Sequence, residues 1–433
     1  MDSLAIIDSF SKLNKLLVYR GILADKLLQK VRNLISKLKK EATIEVLQRD
    51  YYDILAELIE IGEREGYQDG LWQNYLLNLI IKDKNSFSLA CERDKNLQGS
   101  IYQLALNDLQ ILTKIHSFNL NHLGRLLKVE EESFITAFSP SNYNEEYQNH
   151  YQKRLAELRQ NFNNVSSVEN LLKKLSSYYR DFGAGKLAYY KAFRWEESSL
   201  IGIKNSDPIT FAELIGYENQ KEKLIKNTEA FLKNKPANNV LLYGDSGTGK
   251  SSSIKALLNR YATEGLRLIE LAKYQMKELP KILEVLKDRG LYFIIFMDDL
   301  SFEDFETDYK YMKAIIEGGV EVKPNNVLFY ATSNRRHLIK EKWSDRDQES
   351  GEIHLSDAIQ EKISLASRFG ITISYESPQQ KSYLRIVKEL AKQNNITLPV
   401  EELKERAIQW EMWNNGRSGR TAQQFIDYLL GEL

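Results

Sequence analysis

One stretch, Asn239 to Tyr261, limits what this chain can fold into more than any other. Val240 to Tyr243 is a short apolar run with the character of a buried strand. Gly244-x-x-x-x-Gly249-Lys250-Ser251 follows at once, then a helix-forming run with apolar residues at Ile254, Leu257 and Leu258. Strand, glycine-rich loop and helix in that order form the context in which this pattern cradles phosphate. The glycines let the main chain curl, so that the N–H groups across Gly244, Asp245, Ser246, Gly247, Thr248 and Gly249 face inward as an anion nest. The first turn of the helix, with Ser251 and Ser252, adds free N–H groups and the positive end of its dipole. In that arrangement Lys250 reaches the β- and γ-phosphates and the Ser251 hydroxyl ligates Mg²⁺. The plainer alternative, a glycine turn before a helix, does not account for the flanking strand.

The remaining chain, 433 residues in all, has room for two or three domains with their own cores. Lys plus Arg equals Asp plus Glu, at 60 each, so overall charge demands neither nucleic acid nor an anionic membrane. Apolar residues make up 42%, but no run approaches the roughly 18 needed for a membrane span. Asp2 and Asp8 interrupt any leader-like start, which makes the reducing cytoplasm the expected location. Cys91 is the single cysteine, so no intrachain disulfide is possible, and it reads as a small buried apolar residue.

Six of the seven prolines lie after residue 200, and Pro140 is the exception. The region before residue 200 therefore reads as mostly helical. Leu13, Leu16 and Leu17, then Leu27, Leu28, Val31, Leu34, Ile35 and Leu38, recur at helical spacing, and Ile54, Leu55, Leu58, Ile59, Leu104, Leu109, Ile111 and Leu112 continue the stripe. Such stripes are core packing, or else a face for a partner. Ser139-Pro140-Ser141-Asn142 signals a loop, and Gly183-Ala184-Gly185-Lys186 a turn. Phe193-Arg194-Trp195, with Tyr189 and Tyr190, reads as a packed connector, with base stacking as the other account.

From Asp207 onward, strand-like runs alternate with helices: Val240–Tyr243, Arg267–Leu271, Tyr292–Met297, Val327–Thr332 and Ile371–Tyr375. Alternation implies a parallel sheet covered by helices, with ligands beyond the carboxyl ends of its strands. The run Phe293 to Met297 ends in Asp298 and Asp299. Acids at a buried strand end need a cation or hydrogen bonds. Asp298 is then the water-mediated Mg²⁺ partner, and Asp299 or Glu303 aligns the attacking water; a helix N-cap is the alternative. Val327 to Thr332 ends in Ser333 and Asn334, and Asn334 touches the γ-phosphate or the water if the two strands are neighbours. Arg368 and Arg420 are candidate guanidinium groups for charge developing in phosphoryl transfer.

These residues, with Ala237 to Gly244, Gly265 to Glu270, Phe296 to Glu303, Tyr330 to Leu338, Glu361 to Gly370 and Arg417 to Arg420, resemble the AAA+ ATPase superfamily. They are most similar to a bacterial family of AAA+ ATPases of unassigned function. The likeness covers roughly the C-terminal half; the first half matches loosely, best at Ala192 to Trp195. It implies an α/β P-loop NTPase: a five-stranded parallel αβα sandwich with a C-terminal helical lid, often assembled into rings. The expected organisation is a helical region over 1–190 that carries a protein or nucleic-acid target, a linker and adenine-pocket segment over 191–238, the nucleotide core over 239–377 and the lid over 378–433. By position Asn334 resembles the first sensor and Arg420 the second. Arg368 resembles a finger acting on a neighbouring subunit's nucleotide, which implies a homo-oligomer. Leu214, Ile215, Gly216 and Tyr217 resemble the adenine-pocket segment. The implied reaction is ATP hydrolysis to ADP and phosphate with Mg²⁺.

Two departures bear on activity. Asp299 stands where the superfamily usually has Glu, one methylene longer, so its carboxylate falls roughly 1.5 Å short. Lys273-Tyr274-Gln275-Met276 is a poor match to a polypeptide-threading loop. A slow or non-hydrolysing nucleotide-gated loader, and a nucleic-acid remodelling factor, are the alternative functions.

Overall fold

The computed structural model describes residues 3–68, 70–94, 96–129, 138–141, 150–163, 167–300, 312, 323–334, 368–414 and 416–432. The chain divides into two units, Met1–Tyr190 and Lys191–Leu433.

In the first unit most of the helical stripes become helices; the stretch Leu13 to Leu17 instead forms a 3₁₀ turn (Lys12–Lys15) followed by an extended residue and a bend. Among the described residues the helices are α1 (Ser3–Ser11), α2 (Lys26–Lys39), α3 (Ile44–Glu65), α4 (Leu71–Lys82), α5 (Ser86–Arg93), α6 (Ser100–His116), α7 (Leu120–Leu126), α8 (His150–Asn163) and α9 (Val168–Phe182). Asp25 starts α2 by accepting the Leu28 N–H at 2.9 Å, and Asn85 and Ser88 form a reciprocal capping box on α5. Leu27, Leu28, Val31, Leu34 and Ile35 of α2 are buried in one core with residues of α3 to α9. Each such side chain contributes about 1.5–3 kcal/mol of burial. Leu17 and Leu104, at the ends of the stripe, are exposed. Cys91 is buried. Gly185–Ala188 is a short 3₁₀ turn.

Two polar groups sit inside this core on different terms. The Asp108 carboxylate is fully buried and accepts the main-chain N–H groups of Leu17, Val18 and Tyr19 at 2.7–3.2 Å, satisfying the start of a 3₁₀ helix. His116, in the last turn of α6, has no partner for Nε2 and faces the Phe162 ring at 5.1 Å.

In the second unit seven strands form one sheet: β1 (Ala192–Glu196), β2 (Ser199–Gly202), β3 (Val240–Gly244), β4 (Leu266–Glu270), β5 (Tyr292–Met297), β6 (Val327–Ser333) and β7 (Ile371–Tyr375), in the order β2-β1-β4-β5-β6-β3-β7. The five strands read from sequence are present and mutually parallel, but among the described residues the sheet is mixed and has seven members rather than five. β1 extends it in parallel beside β4, and β2 turns back antiparallel. Phe193 and Trp195, read as a packed connector within the 191–238 linker, are buried strand residues. The hairpin turn places Glu197 and Ser198 at positive φ, 47° and 57°, a conformation usually signalled by Asn or Gly.

Residues of both parities along the strands are buried, as in a covered parallel sheet: Val240 and Leu242 on one face, Leu241, Ile295 and Phe329 on the other. Helices α10 (Glu218–Leu232) and α11 (Lys250–Tyr261) pack on the Val240 face. The short α12 (Leu279–Leu286) precedes β5. Three C-terminal helices, α13 (Gln380–Gln393), α14 (Val400–Trp413) and α15 (Gly419–Glu432), bury a separate core of Tyr383, Ile386, Val387, Leu403, Phe425 and Ile426. Among the described residues no helix is long and apolar enough to cross a membrane.

The buried imidazole gives this fold a pH dependence. Burial first, then the charge of Arg159, pushes the His116 pKa down to about 4. The unfolded chain therefore binds a proton that the folded one refuses, and stability falls as pH drops from about 6.5 toward 4. At pH 4.5 the loss attributable to this residue is about 2–3 kcal/mol. Urea unfolding of the wild type and of His116→Phe at pH 7 and pH 4.5 checks this: the variant loses that much less on acidification.

Candidate functional site

The site is built where β3 ends. Gly244 closes the strand at φ 132°, and a Cβ on it would lie 2.1 Å from the Tyr375 carbonyl oxygen, so only glycine fits between β3 and β7. Gly247 and Gly249 also take positive φ, 76° and 92°, which turns the loop into a concave run of main-chain N–H groups opening α11. The Thr248 hydroxyl braces the loop on the Asp245 carbonyl at 2.8 Å. Lys250 is buried and donates to the carbonyls of Gly244 at 2.8 Å and Asp245 at 2.6 Å, and to Asn334 Oδ1 at 3.1 Å. Burial pushes the pKa of this ammonium down, and the carboxylates of Asp245, Asp299 and Asp298 act against that shift.

Strand order brings the acids here. β6 lies between β3 and β5, so the polar end of β6 falls between the glycine loop and Asp298-Asp299. Asp298 Oδ1 accepts from the Ser251 hydroxyl at 2.6 Å and the Thr332 hydroxyl at 2.5 Å. Thr332 Oγ1 in turn accepts the Asp299 N–H at 2.9 Å. Asp299 takes a left-handed φ of 50°, which Asp tolerates better than longer side chains. Asn334 Nδ2 donates to Asp299 Oδ1 at 2.8 Å. One continuous hydrogen-bonded array thus joins residues drawn from three strand ends.

A cavity of about 570 Å³ opens over this array. Ser246 to Ser252, Asp298, Asp299, Asn334 and Arg420 line its polar part, and Leu214, Ile215, Ile386 and Leu390 its apolar part. Gly216 and Tyr217 line it too; the Tyr217 ring stacks on Tyr375 with centroids 5.0 Å apart, and its hydroxyl donates to the Glu376 carbonyl. Ile215 packs against the core of the three C-terminal helices, and the Arg420 N–H donates to the Gly247 carbonyl at 3.1 Å. Gly244 and Asp245 form the base of the loop just outside this lining. Arg368 is exposed, does not line the cavity, and precedes the end of β7 that pairs with the start of β3, opposite the glycine loop. Glu303 lies outside the described residues.

The donor set fits a nucleoside triphosphate with Mg²⁺. The three glycines let the loop curl into a cradle of N–H groups, since a Cβ at Gly244 or Gly247 would run into Tyr375 or Ser418, with one ammonium and one guanidinium at its sides. Ser251 and Asp298 supply two adjoining oxygen ligands, the small protein share Mg²⁺ takes when phosphates supply others. The apolar end suits a base. Sequence reasoning did not single out Thr332, whose role depends on β5 pairing with β6, nor Lys221, which lines the cavity from α10 and donates to the Leu214 carbonyl at 2.6 Å.

Residues 188–433 match the family model described as "Protein of unknown function (DUF815)". No curated protein matches the chain. Among solved structures, the Thermotoga maritima RuvB Holliday junction branch migration motor is similar at 17% identity, over 51% of this chain and 72% of that one, with a TM-score of 0.31. A variant of the same protein is similar at 16% identity, over 52% and 73%, with a TM-score of 0.33.

The Thr332 junction is directly testable. Thr332→Val keeps the shape but removes the hydroxyl that accepts the partly buried Asp299 N–H and donates to Asp298, which lowers stability by about 1 kcal/mol in urea unfolding. Thr332→Ser keeps the hydroxyl and recovers most of that loss.

Proposed function

The chain belongs to the DUF815 family, whose model spans more than half of it, and on that premise we propose that it binds ATP with Mg²⁺ and hydrolyses ATP to ADP and phosphate, driving conformational change on a macromolecular partner. We read 239–377 as an AAA+ nucleotide core and 378–433 as its lid. One observation carries the reading: Lys250, the Ser251–Asp298 pair, the Asn334–Asp299 pair and Arg420 surround one cavity, although they come from segments spread over 170 residues of sequence.

Each residue then has a task. The loop amides and Lys250 bind the β- and γ-phosphates, Lys250 exchanging its carbonyl partners for phosphate oxygens. Ser251 and Asp298 hold Mg²⁺, which when bound neutralises charge between the two terminal phosphates. Asp299, kept in place by Asn334, orients the attacking water and takes its proton. Arg420 places a guanidinium from the lid on the γ-phosphate side, and Arg368 serves the nucleotide of a neighbouring copy in a homo-oligomer. Ile215, Gly216 and Tyr217 hold the base. The helical region 1–190 engages the protein or nucleic-acid partner.

A second reading, a nucleotide-gated module with little turnover, is favoured by Asp299 itself. Its carboxylate is one methylene short of Glu and already accepts from Asn334.

Phosphate release by the purified chain decides between them. Under the leading reading Lys250→Ala lowers turnover about a hundredfold or more. It also removes the stabilisation, about 2.7 kcal/mol at a hundredfold excess over Kd, that ATP gives the wild type. Turnover that survives Lys250→Ala overturns the assignment. Tight binding with negligible turnover, raised by Asp299→Glu, supports the gated module instead.

A further inference from the structure

The chain leaving β7 for the three C-terminal helices is not a free tether. Residues Tyr375, Glu376 and Ser377 are each held by residues of the nucleotide cavity or its glycine loop. The Asp245 N–H donates to the Tyr375 carbonyl at 3.0 Å, and the Ser377 N–H donates to Asp245 Oδ2 at 2.8 Å. The Tyr375 hydroxyl donates to Ser253 in the first turn of α11 at 3.0 Å, and Tyr217 donates to the Glu376 carbonyl at 2.7 Å. At the start of α15, the Arg420 N–H rests on the Gly247 carbonyl, and a Cβ on Gly247 would come within 2.8 Å of Ser418. The glycine loop therefore touches the chain that enters α13 through Asp245 and the start of α15 through Gly247.

Asp245 is the one loop residue whose side chain makes the contact before α13, and the chemistry of that contact is specific. Its carboxylate is an acceptor only, and the Ser377 N–H is a main-chain donor two residues before Gln379, the N-cap of α13. Hydrogen bonds from Ser377 hold the Asp245 carboxyl below the usual range, so the contact is charge-assisted at neutral pH. The Asp245 carbonyl, on the same residue, is also one of the three acceptors that hold the Lys250 ammonium. Any ligand that draws Lys250 off that carbonyl acts on the residue that fastens the bundle.

We propose that Asp245 is a positioning residue that couples occupancy of the glycine loop to the orientation of the C-terminal helical bundle, through its grip on the Ser377 N–H. This rests on the nucleotide-binding reading above. Loop and bundle then form one two-state element: with Lys250 on its own carbonyls the chain entering α13 is set one way, and with Lys250 on phosphate it is set another.

The test uses the full chain in a Cys91→Ala background, with spin labels at Lys226→Cys on α10 and Lys388→Cys on α13. Their distance distribution is measured without nucleotide and with saturating ATP and Mg²⁺, saturation being confirmed by titration of each sample. The expected result is an ATP-dependent change in distance that Asp245→Ala abolishes and Asp245→Asn retains, because an amide oxygen still accepts the Ser377 N–H. Ser377→Pro, which deletes the same N–H from the other side, abolishes it as well, and adding Asp245→Ala to Ser377→Pro has no further effect. Turnover falls about tenfold in Asp245→Ala and recovers in Asp245→Asn. An unchanged distance response in Asp245→Ala at full occupancy overturns the proposal, as does a wild type that binds ATP without any change in distance. A wild type that binds no ATP overturns the nucleotide reading itself, a separate result.

Discussion

The insertion of β3 between β6 and β7 is the constraint from which the rest of the second unit follows. On one side its last residue meets β7 so closely that a single carbon atom could not be added at Gly244. On the other side it meets β6, whose Thr332 and Asn334 carry hydrogen bonds across to the acids of β5. A glycine loop at the end of an edge strand would have had one neighbour and half a site. Here the loop is walled on both sides by strand ends that supply an acceptor carbonyl, a hydroxyl and an amide, and none of them requires a long loop to reach.

Charge compensation inside the site is local and nearly closed. Lys250 is desolvated, which alone would favour its neutral form, but three carboxylates work to keep its proton. Asp298 and Asp299 are each held by hydroxyl or amide donors rather than by a cation. The arrangement is partly pre-formed: Lys250, Ser251, Asp298, Asp299 and Asn334 each have a partner that a triphosphate and its metal could take over.

Much of this was readable in the chain. All five parallel strands fall within a residue or so of the runs read from sequence, four because a buried strand is largely apolar and the edge strand β7 because Ile371, Ile373 and Tyr375 alternate with polar residues. The convergence of Asp298 and Asn334 on the loop follows from carboxyl-end placement, a topological regularity rather than a local signal, whereas Arg420, at the start of a helix, was expected there from the family resemblance alone. What escaped did so for physical reasons. The β1–β2 hairpin turns through Glu197 and Ser198, residues that pay a steric cost at positive φ and give no sign of a turn. Thr332 matters only because β5 and β6 are neighbours. Asp245 finds its acceptor role 132 residues away, beyond any local pattern. Leu104 kept the helical period yet faces outward near the start of α6, and Leu17 is exposed because the chain bends there between two 3₁₀ turns instead of continuing a helix.

That unforeseen hairpin changes what the sheet shows to the outside. Without it, β4 would present an unpaired row of amides and carbonyls along the mostly buried run Leu266 to Glu270, a template on which another chain could polymerise. With it, the open border passes to β2, only four residues long and bounded by a tight turn. The sheet thereby gains a selvedge: a short finished margin that stops the weave from continuing into a fibre.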